Sequence, residues 1–373
     1  MSYKTLDLDS LLEPLAEDNP TGRDVREDSS PTSNYQKLRS ARSAARSAER
    51  QSIHDGPSNE AEAHWREIEQ IAPTLLREEA KDLEVACWLT EALIRRHGFS
   101  GLEEGFALLD GLVKTFWENL YPMPDEDGIE TRVACISGLN GEGAEGVLIA
   151  PIRRVPLTLG DEPPAPFSLW QYQQAVEAQK SPDEETRERK LSQLGFSTAT
   201  ITEAVNRAAD DFYVDLDASL DSAIQSYKQL GTRLDELCGA YDAPPTSQII
   251  STLEDTLGVV RHIASHKLPS GDQADTGEDG EQAQDEQITP GTSGAPVVKE
   301  APQVMTRERA FAQLQDLSAF FRDSEPHSPI SYMLDKTVRY GRMPLPELLN
   351  ELIPDHSARE FFGIVTGAKE QQE

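Results

Sequence analysis

Positive charge is scarce in this sequence: 35 Lys and Arg stand against 66 Asp and Glu, a formal net charge of -31. A polyanion would be repelled over most of such a surface, so neither nucleic acid nor an anionic membrane is an expected partner. Cysteine is scarce too. Cys87, Cys135 and Cys238 are far apart in the chain and form no CxxC pair, which suits a reducing compartment and small core residues more than a disulfide framework. No apolar run approaches the roughly 18 residues of a membrane span. The opening stretch MSYKTLDLDSLLEPLAEDNP has no basic region followed by an apolar one. A soluble, cytoplasmic chain without membrane insertion is expected. No GK[ST] phosphate loop occurs, so nothing supports an ATPase.

What the sequence does have is helical periodicity. Asp82 can cap a helix carrying Val85, Leu89, Ala92 and Leu93 that stops at Gly98. Ser100 and Glu103 have capping-box spacing for a second helix, whose Leu102, Phe106, Leu109, Val113, Phe116 and Leu120 recur at steps of three and four before Pro122. The two predict an antiparallel hairpin. Upstream, residues 35–52 (YQKLRSARSAARSAERQS) combine strong helix propensity with one thin apolar face. The basic side of that helix, Arg39, Arg42, Arg46 and Arg50, is read as a solvated face with internal ion pairs, or as a dock for an acidic surface such as the chain's own linker. Further on, Leu216, Leu220, Ile224, Tyr227, Leu230, Leu234 and Leu237 predict one long helix, and Ile249, Leu253, Leu257, Val260 and Ala264 another. The best strand signal is VLIAPIRRVPL at 147–157, which its prolines confine to an edge or extended arm.

Residues 270–298 carry seven acids and no Lys or Arg among many Gly, Pro, Ser and Thr. Such a stretch cannot bury enough apolar surface to offset its ordering entropy, so a disordered acidic linker is expected. The fold class is mainly α, with four regions: an amino-terminal helical bundle (1–165), a middle helical region (166–268), the linker (269–304) and a small helical oligomerisation domain (305–373).

Motifs with a chemical look do not converge. GEGAEG (141–146) matches GxGxxG, but a strand-like run follows it where a helix is needed, and Glu142 and Glu145 would repel phosphate. MPDEDGIE lacks the carboxylates of a calcium loop at its first and twelfth positions. GFSG misses the last glycine of GxSxG. His262 and His266 are spaced for one helix face but lack a third ligand. No cofactor, metal or catalytic residue is assigned.

The last 70 or so residues place Phe311, Leu314, Leu317, Phe320 and Phe321 on a helix near 306–323. Ser328 and Pro329 then start a second helix with Ile330, Met333, Leu334, Thr337 and Val338 on one face, ending at Gly341. A third, from Pro346, carries Leu348, Leu349, Leu352 and Ile353. So much apolar surface in so small a unit argues for burial between subunits. Phe320, Phe321, His327, Ile330, Met333, Leu334, Val338, Leu345, Leu348 and Leu349 are the expected interface or its core, with His327 able to tune it near neutral pH.

Several ordered blocks also look familiar. DNPTGRDVRED (18–28), the run from Lys81 to Pro122, DEDGIETRV (125–133), GLNGEGAEGVLIAPIRRVPLT (138–158) and FSLWQYQQA (167–175) resemble the ImpA amino-terminal domain of TssA proteins. SEPHSPISYMLDKTVRYGRMPLPELLNELI (324–353) resembles the carboxy-terminal end of the same family. The resemblance implies a non-enzymatic component of the bacterial type VI secretion system. It implies a homo-oligomeric ring of hexameric or dodecameric order that links baseplate, tail tube and sheath, primes or coordinates tail polymerisation, and is recruited to the inner face of the inner membrane by membrane-complex proteins. The alternatives are a monomeric adaptor that docks an acidic partner through the basic helix, and an enzyme, metal-dependent through His262 and His266 or hydrolytic around His327.

Overall fold

A computed structural model describes residues 5–51, 58–126, 128–160, 165–239, 241–269, 307–324, 329–343 and 348. The chain divides into two compact units, 1–277 and 278–373. In the first, the helices are α1 (Leu8–Leu11), α2 (Asn34–Gln51), α3 (Asn59–Glu78), α4 (Leu83–Phe116), α5 (Ile129–Asn140), α6 (Ile149–Arg154), α7 (Leu169–Gln179), α8 (Glu184–Leu194), α9 (Thr198–Arg207), α10 (Asp210–Cys238) and α11 (Ser247–Ile263). In the second they are α12 (Arg307–Ser324) and α13 (Ile330–Arg342). Among the described residues, extended pairing is limited to isolated bridges. The mainly α reading holds.

At the centre lies α4. Asp82 caps it, its carboxylate accepting from the Val85 amide at 3.0 Å. The helix breaks where the sequence says it should. Gly98 has φ +62, a region costly for any side chain, and splits α4 into two segments. They fold back on each other. The Leu83 amide donates to the Tyr121 carbonyl at 2.8 Å, so the start of one segment lies beside the exit of the other. Gly105 lets them touch: a Cβ there would sit 2.7 Å from the Thr90 side chain. All ten apolar residues assigned to this hairpin are buried.

Around it, α2 packs on α3 and α3 on α4, while α10 runs along α4 with the most extensive contact in the unit. Phe106 of α4 meets Tyr227 of α10 with ring centroids 4.5 Å apart. The second expected hairpin is also present. Three ion pairs, Lys228–Glu254 (2.6 Å), Asp217–Arg261 (2.6 Å) and Asp210–Lys267 (2.8 Å), step in opposite directions along the two strands of the chain and fix α10 and α11 as antiparallel. Leu237 is the exception to its stripe and is exposed in the last turn of α10. One hydrophobic core runs from Leu6 to Ala264 and takes in residues of both the amino-terminal and the middle helices. Phe167, Ala175, Ile201 and Ala204 form a smaller one.

One element was misjudged from sequence. The stretch 147–157 holds the short helix α6 (Ile149–Arg154) and not a strand. Pro151 falls in the first turn of that helix, where its missing N–H would have had no partner in any case. Only Pro156 bridges to another segment, at Ser168. Consequently GEGAEG joins helix to helix. Gly141 (φ +90) and Gly146 allow a turn so tight that a Cβ on either would lie 2.2 Å from backbone atoms.

In the second unit α12 and α13 pack together. Gly341 does not end α13 but lies within it, where a Cβ would come 2.5 Å from the Phe311 ring. The proposed cap Ser328, most of the third helix and the linker fall outside the described residues; Leu348 is helical.

Candidate interaction surfaces

The polar blocks that suggested a family turn out to hold the amino-terminal unit together. Asn19 closes a turn, its side chain accepting from the Gly22 amide (3.1 Å) and donating to the Gly22 carbonyl (2.8 Å). Gly22 has φ +74, and a Cβ on it would be 2.1 Å from the Glu79 carbonyl oxygen, so only glycine fits. Four residues on, Arg26 reaches Asp82 at 2.6 Å and Glu84 at 2.7 Å, with its guanidinium 5.3 Å from the Tyr35 ring centroid. Tyr35 Oη donates to the same Glu84 carboxylate at 2.9 Å. These contacts fasten the amino-terminal segment to the start of α4. Glu104 fastens it from the other segment, accepting from the Thr5 amide at 2.8 Å and the Leu6 amide at 2.6 Å.

Lys81 is fully buried. Its Nζ donates to the Leu11 carbonyl at 2.8 Å and the Leu76 carbonyl at 2.9 Å, and lies 5.6 Å from the Phe116 ring centroid. Two neutral acceptors and a ring compensate poorly for lost hydration, so burial lowers its pKa to about 8.

On α2 the arginines split by environment. Tyr35, Leu38, Ala41, Ala45 and Ala48 make the thin buried face. Arg42 flanks it and is used internally: Nε donates at 2.7 Å to Glu91, whose carboxylate is fully buried on α4, and the guanidinium lies 5.6 Å from the Trp88 ring centroid. Arg46 is half-buried beside it without an ion pair among the described residues; burial, and the neighbouring Arg42, Arg95 and Arg50, lower its pKa against the pull of Glu91. Arg39 and Arg50 are exposed. Spaced at i, i+7 and i+11, Arg39, Arg46 and Arg50 fall on one line of the helix.

In the carboxy-terminal unit, Ser318 Oγ donates to the Ser331 carbonyl at 2.9 Å, and Arg322 pairs with Asp335. Of the expected interface residues, Val338 is core, at 4% exposure, and Phe321, Leu334 and Leu348 are half-buried. Phe320 is 62% exposed, Met333 65% and Ile330 39%. His327, Leu345 and Leu349 lie outside the described residues. Sequence reasoning passed over Tyr332, which is 69% exposed beside Met333, and left exposed Leu317 on the core face. An aromatic next to an apolar stripe, too far round the helix to join it, was the available signal for Tyr332.

The histidine pair does not share a helix. His262 occupies the last turn of α11, which ends at Ile263, and His266 lies beyond it. Among the described residues, no three His, Cys, Asp or Glu side chains could hold one metal ion. Nor is any described helix long and apolar enough to cross a membrane.

Fold and surfaces together define a helical protein whose polar clusters fasten its own elements and which, among the described residues, exposes five large apolar side chains on the α12–α13 hairpin, beside six scattered over the first unit. Residues 12–141 match the family model described as "ImpA, N-terminal, type VI secretion system". Over 94% of this chain and 96% of the relative, the sequence is 24% identical to the type VI secretion system component TssA1 of Pseudomonas aeruginosa. The structure is similar to the N-terminal domain, including the conserved ImpA_N region, of the TssA component from Burkholderia cenocepacia. That match has a TM-score of 0.58 and 28% identity, and covers 72% of this chain and 97% of that one. The amino-terminal unit thus carries the ImpA N-terminal region, and the chain is similar over nearly its whole length to a TssA component of a type VI secretion system.

Proposed function

We propose that this chain is a non-enzymatic scaffold that assembles through its carboxy-terminal unit into a homo-oligomeric ring and holds its amino-terminal unit out toward baseplate, tube and sheath proteins at the cytoplasmic face of the membrane complex. The observation that carries this reading is the high exposure of large apolar side chains on α12 and α13. Phe320 and Met333 are each more than half exposed. Burying what remains exposed of them against a second copy would supply about 1–2 kcal/mol each per protomer, and a closed ring repeats that gain at every interface. The 36 residues from 269 to 304, rich in acids and poor in apolar groups, suit a tether that keeps the first unit at high local concentration around the ring.

For the amino-terminal unit, the line of Arg39, Arg46 and Arg50 supports an acidic partner. It is a positive stripe without ion pairs among the described residues, on a chain of charge -31. This is also the basis of the adaptor alternative, which predicts salt-sensitive binding and no ring.

Light scattering of the full chain tests the first reading. Six or twelve protomers per particle are expected, and Phe320→Asp with Met333→Asp should dissociate the particle without changing tryptophan fluorescence. A wild-type chain that scatters as a monomer at working concentration would leave the adaptor as the better account.

A further inference from the structure

Two cysteines well separated in sequence, Cys87 and Cys135, are close in space. Cys87 lies on the first segment of α4 and Cys135 on α5, two helices that pack on each other in the main core. The two thiols are neighbours across that helix contact. Cys87 is buried, whereas Cys135 is half-buried, with Sγ 3.7 Å from the Arg132 carbonyl one turn back. Cys238, at the end of α10, is half-buried.

We propose that Cys87 and Cys135 are a dithiol pair that a hydroperoxide converts to an intramolecular disulfide, tying α5 to α4. The asymmetry of the pair sets the order of events. Burial, together with the neighbouring thiol, pushes the Cys87 thiol well above its ordinary value, so Cys87 is a poor first nucleophile. Cys135, the one with access to solvent, reacts first. Its thiolate attacks one peroxide oxygen, the O–O bond breaks, and the other oxygen leaves as water or an alcohol, giving a sulfenic acid. Cys87 then loses its proton and attacks the Cys135 sulfur. The S–S bond forms as the S–O bond breaks, and the departing hydroxide takes up that proton as water. The sum is two thiols and one hydroperoxide giving one disulfide, one water and one water or alcohol. A thiol reductant reverses it, which is the behaviour expected of a transient pair in a reducing compartment.

Tying α5 to α4 has a defined structural consequence. The last residue of α5, Asn140, is fully buried, and its Oδ1 accepts the Ile249 amide at 2.9 Å in the first turn of α11. Thr246, at the N-cap position of α11, makes no side-chain cap, so α5 supplies that cap from 109 residues away. A disulfide at Cys135 thus anchors the element that starts α11.

The test uses the full chain, exposed to excess hydrogen peroxide, quenched, unfolded and alkylated. Titratable thiols should fall from three to one, peptide mapping should join Cys87 to Cys135, and dithiothreitol should restore all three. Cys238→Ser should form the same link. Cys87→Ser should stop at a Cys135 sulfenic acid trapped by dimedone. Three thiols surviving an exposure that oxidises the urea-unfolded chain would overturn the proposal, as would a link that includes Cys238.

Discussion

Lys81 offers the sharpest test of the physical account, because its charge is buried against two carbonyls and a ring with no carboxylate in contact. Its folded pKa of about 8 lies below the unfolded value of 10.5. Between those values the unfolded chain binds more protons than the folded one, so stability rises with pH across that window. Integrating the two titrations from about pH 7 to about pH 9.5 gives a gain of roughly 2 kcal/mol attributable to this one residue. Lys81→Met keeps the apolar stem, removes the charge and leaves the Leu11 and Leu76 carbonyls without their donor, at about 1–3 kcal/mol each. Tyrosines and cysteines titrate in both proteins, so the informative quantity is the difference between the two pH profiles. Urea unfolding followed by tryptophan fluorescence measures it cleanly, because Trp65, Trp88, Trp117 and Trp170 are all the tryptophans of the chain and all lie in the unit that holds Lys81. The wild type should gain about 2 kcal/mol on the variant over that range. Parallel profiles would refute the claim that the ammonium is charged and poorly solvated in the folded state.

Two further outcomes follow from side-chain pairing. Asn140→Ala removes the borrowed cap of α11 and should cost about 1–2 kcal/mol, with faster hydrogen exchange confined first to residues near Ile249; uniform exchange across α11 would contradict the assignment. Arg42→Ala strands the buried Glu91 carboxylate and should cost about 3–5 kcal/mol, largely recovered by adding Glu91→Leu, whereas Arg50→Ala on the exposed side of the same helix should stay within about 0.5 kcal/mol. Equal effects at Arg42 and Arg50 in urea unfolding would mean that the arginines of α2 are not divided as described.

Much of the fold was legible because its rules are local. The Asp82 cap, the break at Gly98 and the stripes of α4, α10 and α11 depend on residues three or four apart, and a sequence displays such spacing directly. The error at 147–157 came from weighing proline as a strand edge when Pro151 was in the first turn of a helix. Pairings across distance leave no periodic trace. Nothing near Arg42 announces Glu91, though an acid inside the apolar run LEVACWLTEALI is a warning that some cation must reach it. The same holds for Glu104 with Leu6, for Asn140 with Ile249, and for the meeting of Cys87 and Cys135. At the carboxy-terminal surface, periodicity could not divide the apolar residues it picked out, since Val338 and Met333 belong to one stripe and only packing puts the first inside and the second out.

The cover that α10 places over α4 also has a cost in time. Phe106 leaves the ribosome about 120 residues before Tyr227, its ring partner, which at bacterial synthesis rates is roughly 6–24 s. During that interval the α4 hairpin has its own capped ends and its contacts with α3, but the flank that α10 will occupy is bare. The nascent chain therefore presents a long apolar groove to the cytosol before its lid exists, and holdase chaperones should engage it most strongly while residues 121–226 are being made.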